Sequence, residues 1–163
     1  MGHYPVSILV DEFAPLDSQV RLTLLVLWSM LLGGLMGFER ERRSKASGIR
    51  THMLVAASST IVVYVSAQLA ETGGDQSRGI HGVITGIGFL GAGTIIQSKK
   101  GVVTGLTPAA TIFHTAAIGV AVAVGYGYAA TIGTLLAILV LFGVSKISQR
   151  FTNDKFSNDE ESV

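Results

Sequence analysis

Residues 82–96 read GVITGIGFLGAGTII, an apolar run with five glycines and no formal charge. In water each glycine inside a helix costs roughly 1 kcal/mol relative to alanine. In lipid the same residues are useful, because small side chains let helix backbones approach closely. The run therefore belongs in a membrane. Gly86, Gly88 and Gly91 also match the GxGxxG spacing of dinucleotide-binding loops. That chemistry needs a preceding strand and an acidic residue about 20 positions on. Here Lys99, Lys100 and Gly101 follow instead, so the match is incidental.

Composition agrees with a lipid environment. Of 163 residues, 48% are hydrophobic, 14% are charged and 20 are glycine. The chain has no cysteine, which excludes disulfides, thiolate nucleophiles and thiolate metal sites. At this length the expectation is one compact membrane domain with no separate soluble catalytic domain. Apolar stretches fall near 20–38, 53–69, 80–96, 108–124 and 128–144. Each is close to the roughly 17 to 25 residues that cross a ~30 Å hydrocarbon core. The expected fold is an all-α integral membrane protein, a bundle of five transmembrane helices. Only Gly125, Tyr126 and Gly127 separate the last two stretches, which predicts a tight helical hairpin.

Basic loops stay in the cytoplasm, whereas acidic residues exert little pull. Arg40, Arg42, Arg43, Lys45 and Arg50 follow the first stretch, Lys99 and Lys100 the third, and Lys146, Arg150 and Lys155 the fifth. Arg21 and Arg78 fall on the other side. Ten of the twelve lysines and arginines thus share one face, which an odd number of spans explains. The expected organisation is an extracytoplasmic N-terminal segment over 1–19, a transmembrane domain over 20–145 and a polar cytoplasmic tail over 146–163, disordered after Arg150. Asp11, Glu12 and Asp17, with no basic start, argue against a cleaved signal peptide in 1–19.

Ionisable residues in or beside the spans are the functional candidates, because burying charge in lipid needs a partner or water. His114 lies six residues past Pro108, about 9 Å along a helix that starts there. It is either a proton-sensitive or metal-binding imidazole, or a neutral ring bonded to Ser58, Thr60 or a carbonyl. Glu39 ends the first span, where the helix dipole disfavours a carboxylate by a few tenths to about 1 kcal/mol. It calls for a cation, and Arg40, Arg43, Arg50 or His52 can supply one. The alternative is a structural ion pair. Arg42, Arg43 and Lys45 read as a topology anchor. Thr51 is a potential cap for the second span. Asp75, Arg78 and His81 form a polar group before the third span, with a hydrated loop as the plainer reading. Gly105, Leu106, Thr107 and Pro108 predict a turn, an N-cap threonine and proline at the first helical position. The spacings Gly33 to Gly37, Gly82 to Gly86 and Ala129 to Gly133, with Gly88, Gly91 and Gly93, mark helix contacts, either internal or with another copy.

Several of these pieces together carry a resemblance. GFERERR at 37–43, GIRTHMLV at 48–55, Arg78, GIGFLGAGTI at 86–95 and GLTPAAT at 105–111 occur in an order and spacing similar to the MgtC/SapB family of bacterial inner-membrane proteins. The likeness covers about 24–141. It implies a multi-pass plasma-membrane domain linked to growth at low magnesium and to survival inside macrophages. Some members are thought to restrain the F-type ATP synthase. Longer members carry a soluble C-terminal domain, which a short form such as this is expected to lack. The family commonly reads GLTTAAT followed by tryptophan, so Pro108, Phe113 and His114 depart from it.

Two functions follow as expectations. The first is a non-enzymatic regulator of magnesium adaptation that docks through glycine-lined helices against another membrane complex, such as ATP synthase membrane subunits, or against itself. The second is a Mg²⁺ or other cation transporter, or a subunit of one, using Glu39, Asp75 or His114. Mg²⁺ prefers octahedral oxygen coordination with one or two carboxylates, and Glu39 and Asp75 are expected on opposite faces. An enzyme is the weakest reading, since no Walker-type phosphate loop occurs. No cofactor and no nucleic-acid partner are expected.

Overall fold

The computed structural model describes residues 16–43, 45, 47–69, 76–97 and 103–160. They form five helices: α1 (Leu16–Arg42), α2 (Ile49–Leu69), α3 (Gln76–Thr94), α4 (Leu106–Ala123) and α5 (Gly127–Glu160). Two short strands, β1 (Ile96–Gln97) and β2 (Val103–Thr104), pair antiparallel between α3 and α4, with Ile96 opposite Thr104. This pairing takes Ile96 out of the helix that the apolar run 80–96 predicts, and α3 stops at Thr94.

α1, α2 and α4 are long and apolar enough to cross a membrane, and the 17 residues Gly127–Gly143 of α5 form a shorter apolar helix. Their surfaces are apolar on the outside. On α1, Leu24, Leu27, Leu31, Leu35 and Phe38 recur at helical spacing and are all exposed. Ser29, Leu32, Gly33, Met36 and Gly37 form the opposite, buried stripe. A soluble helix puts its large apolar residues inward. Here Ser29, Gly33 and Gly37 share the inward stripe with Leu32 and Met36 while most of the leucines face outward, as lipid favours, because lipid gives no hydrophobic drive between helices.

α4 is the central helix. On one side Ile118 and Val122 pack with Leu32 and Met36 of α1 and Ala130 of α5. On the other, Ile112 and Ala116 pack with Val55 of α2 and Ile87 of α3. Thr60 ties α2 to α4: its hydroxyl lies 3.0 Å from both Ala56 O and Gly119 O, so one proton is shared between two carbonyls. At the other end of α1, the Tyr64 hydroxyl donates to Ser18 O at 3.3 Å.

The connections follow from a few residues. α4 begins one residue before Thr107, with Gly105 as its left-handed N-cap (φ 93°) and no side-chain cap. A Cβ at Gly105 would collide with Thr94 O, so the residue must be glycine. This corrects the expected Thr107 cap. Pro108 is tolerated deeper in the first turn, because those N–H groups have no helical acceptor. At the far end of α4, Tyr126 N donates to Ala121 O at 2.8 Å and Gly125 N to Val122 O at 3.1 Å. With Gly125 at φ 92°, these two bonds make a Schellman stop. α5 starts directly after it, closing the tight α4–α5 hairpin. α5 then continues to Glu160, so the segment expected to be a disordered tail is helical to that point. No glycine or proline occurs between Val144 and Glu160 to end it.

Candidate functional site

Among the described residues, the fully buried ionisable side chains gather where α1 ends and α2 begins. Gly33 and Gly37 bring the two backbones together there. A Cβ on Gly33 would lie 2.6 Å from His52 O, and one on Gly37 2.5 Å from Ile49 Cα. Glu39, Arg40 and His52 are consequently buried, at 3%, 4% and 0% exposure. Glu39 Oε1 accepts from Arg43 Nε at 2.7 Å. The Arg43 guanidinium also sits 4.6 Å from the centre of the Phe142 ring on α5. The pair thus links the C-terminal turn of α1 to α5.

His52 Nδ1 lies 3.0 Å from Gly48 O, one turn back, where only an N–H can donate. Its Nε2 is buried without a hydrogen-bond partner among the described residues, as are Glu39 Oε2 and Arg40 Nε. Glu41, two residues on, is exposed and does something different. Its Oε2 accepts from Ile49 N at 3.0 Å, capping an N–H of the first turn of α2 from outside the helix. Thr51 was the expected cap. It instead lies inside α2, exposed, since the helix already starts at Ile49. Arg50 is exposed beside it.

The remaining candidates lie apart. Arg78 and His81 are exposed near the start of α3, at the other end of the bundle, and Asp75 is outside the described residues. His114 is half-buried on α4 and turns toward α5, where a Cβ on Gly133 would sit 3.9 Å from its Cε1. Its Nε2 is buried without a partner among the described residues. The expected bond from Thr60 is not formed, because that hydroxyl is committed to Ala56 O and Gly119 O; Ser58 is exposed. His114 instead lines a groove of 620 Å³ between α4 and α5, walled by Met36, Leu136 and Val140 among others. Among the described residues, no group of three or more His, Cys, Asp or Glu side chains could hold a metal ion.

The model of the MgtC family matches residues 26–150, which takes in the α1–α2 junction, α3, α4 and the apolar part of α5. The chain belongs to the MgtC family. It is 38% identical over 152 residues to Protein SrpB of Synechococcus elongatus, covering 84% of this chain and 82% of that one. It is 36% identical over 130 residues to the putative magnesium transporter YhiD of Escherichia coli, covering 76% of this chain and 60% of YhiD. With Protein MgtC of Brucella abortus the identity is 42% over 113 residues, covering 69% of this chain and 46% of MgtC. The chain therefore spans less than two thirds of YhiD and of the Brucella MgtC. No solved structure matches it.

Within this MgtC-family chain the glycines divide into two sets. Gly33 and Gly37 meet α2, and Gly91 is in ordinary contact with Ala109 of α4. By contrast, a Cβ on Gly82, Gly86, Gly88 or Gly93 would meet none of the described residues within 4 Å. Of the two contacts expected there, internal or with another copy, the internal one is not made at these four positions among the described residues. Spacing places Gly82, Gly86 and Gly93 on one face of α3, and that face turns outward with Phe89, which is 81% exposed. Two close contacts were missed by sequence reading: Gly119, whose Cβ would collide with Ala56 O, and Gly79, whose Cβ would lie 2.5 Å from Ser66 Oγ. Gly119 pairs with Ala123 at the same four-residue spacing as Ala129 with Gly133, a signal that went unread, whereas no small residue follows Gly79 four positions on.

Proposed function

We propose that this MgtC-family protein is a multi-pass inner-membrane protein, with five spans and its basic end in the cytoplasm, that supports adaptation to low magnesium without catalysing a reaction. It acts by docking against another membrane protein, of which the membrane subunits of the F-type ATP synthase are the first to test. The disposition of polar side chains carries this reading. Glu41 accepts from the start of α2, and Arg43, paired with Glu39, stacks on Phe142 of α5, so these side chains serve to tie α1 to its neighbours. Meanwhile α3 turns its glycine face and Phe89 outward, a surface shaped for close approach of another helix.

The test is co-purification of the tagged full chain from magnesium-starved cells in mild detergent, against an untagged control. Specific recovery of ATP synthase membrane subunits is expected. Recovery of the chain alone would overturn the docking reading. Arg50 is exposed, so Arg50→Ala separates function from folding: stability should stay within about 0.5 kcal/mol while growth at low magnesium falls. Normal growth at normal protein level would remove Arg50 from the account.

A second reading, cation transport, draws on the buried Glu39 Oε2, which has no hydrogen-bond partner among the described residues, and on the likeness to the putative magnesium transporter YhiD. One carboxylate oxygen is a small part of the oxygen shell that Mg²⁺ prefers. Mg²⁺ uptake by proteoliposomes holding the purified chain, abolished by Glu39→Gln, would establish it.

A further inference from the structure

A second groove runs between the last turn of α1 and the apolar part of α5. Its volume is 590 Å³, and Arg42, Arg43, Leu139, Phe142 and Gly143 line it. Its chemistry is divided. Leu139, Phe142 and Gly143 make an apolar floor at the end of the apolar helix Gly127–Gly143, and both charged residues at the edge are arginines. Glu39 pairs with Arg43 from the buried side and Glu41 is turned to Ile49 N, so among the described residues the net positive charge at the groove comes from Arg42. Arg43 is held in place by Glu39 and by the Phe142 ring, 4.6 Å away, so little side-chain freedom remains to be lost on binding.

We infer that this groove binds an anionic phospholipid, with the headgroup phosphate on Arg42 and Arg43 and an acyl chain along Leu139 and Phe142. The guanidinium fork matches phosphate oxygens in pairs. A basic pocket between helices at the headgroup level is where anionic lipids collect. A soluble anion would use the arginines but leave the apolar floor uncovered; an uncharged lipid would do the reverse. The inference rests on the membrane placement proposed above and not on the docking partner. By tying α1 to α5, the lipid would brace the lightly packed outer helix against the rest of the bundle.

Native mass spectrometry of the purified full chain in mild detergent tests this, with phosphatidylglycerol, cardiolipin, phosphatidylcholine and inorganic phosphate added in separate arms. Phosphatidylglycerol and cardiolipin should be retained at least tenfold better than phosphatidylcholine, and phosphate should neither bind nor displace them. Arg42→Gln should weaken retention about fivefold, the factor that corresponds to ~1 kcal/mol per interfacial arginine. Arg21→Gln, which removes one charge at the opposite end, should leave it unchanged. Equal retention of phosphatidylcholine, binding of phosphate alone, or an Arg42→Gln protein indistinguishable from the parent would each overturn the inference. Lipid selectivity of the unaltered protein keeps the test independent of any variant's folding. If the membrane placement itself is wrong, the chain will be found outside the membrane fraction before any lipid is added.

Discussion

Glu39 and Glu41 stand two residues apart on α1 and stabilise different things. Glu39 is buried and paired with Arg43, so Glu39→Ala removes the acceptor from a guanidinium already stacked on Phe142. Arg43 keeps some access to water, so the cost should be about 1–3 kcal/mol, read as a lower midpoint of unfolding in detergent. Glu41→Ala uncaps Ile49 N and should cost about 1 kcal/mol, leaving the Glu39–Arg43 pair in place. Equal effects would mean that burial does not separate the two roles. Glu39 was legible in the sequence as a carboxylate at the wrong end of a helix dipole. Glu41 was not, because its acceptor role depends on a turn that folds it back onto a residue eight positions on. His52 was readable only as one of the cations that could meet Glu39, a place that Arg43 takes, and nothing in its spacing told that the close approach at Gly33 would bury it.

Elements were legible where they depend on composition and obscure where they depend on direction. The five apolar runs correspond to five helices, and Gly125 marks the stop between α4 and α5. The glycines of α3 were readable as a face but not as to what that face meets. Helical spacing sets which residues align, while the neighbour is decided by Ile87 and Val83 packing on α2 and α4, which turns Gly82, Gly86 and Gly93 away. The two glycine sets predict opposite results. Gly37→Ala drives a Cβ into the backbone at Ile49 and should destabilise by about 1–3 kcal/mol or block accumulation. Gly88→Leu has open space around it and should accumulate and unfold like the parent. A Gly88→Leu protein that fails to fold would show that α3 is covered by something its own chain does not supply.

Across the whole molecule, the helices alternate in direction, so the ends of α1 and α3 meet the starts of α2 and α4 at one pole. That pole holds Arg40, Arg42, Arg43, Lys45 and Arg50, and the other holds Arg21 and Arg78. Packing around α4 places two apolar clusters on its opposite sides, with Ile87 of α3 buried in one of them, and the face of α3 that carries Gly82, Gly86, Phe89 and Gly93 stays exposed. The central claim is that this α3 face meets a partner helix. It is tested most directly by placing a photo-crosslinking phenylalanine analogue at Phe89, irradiating magnesium-starved cells, and identifying the adducts by mass spectrometry. The account predicts a specific adduct with a subunit of another membrane protein, lost when Gly86→Leu fills the adjoining face. Adducts with lipid alone, or only with a second copy of this chain, would contradict it.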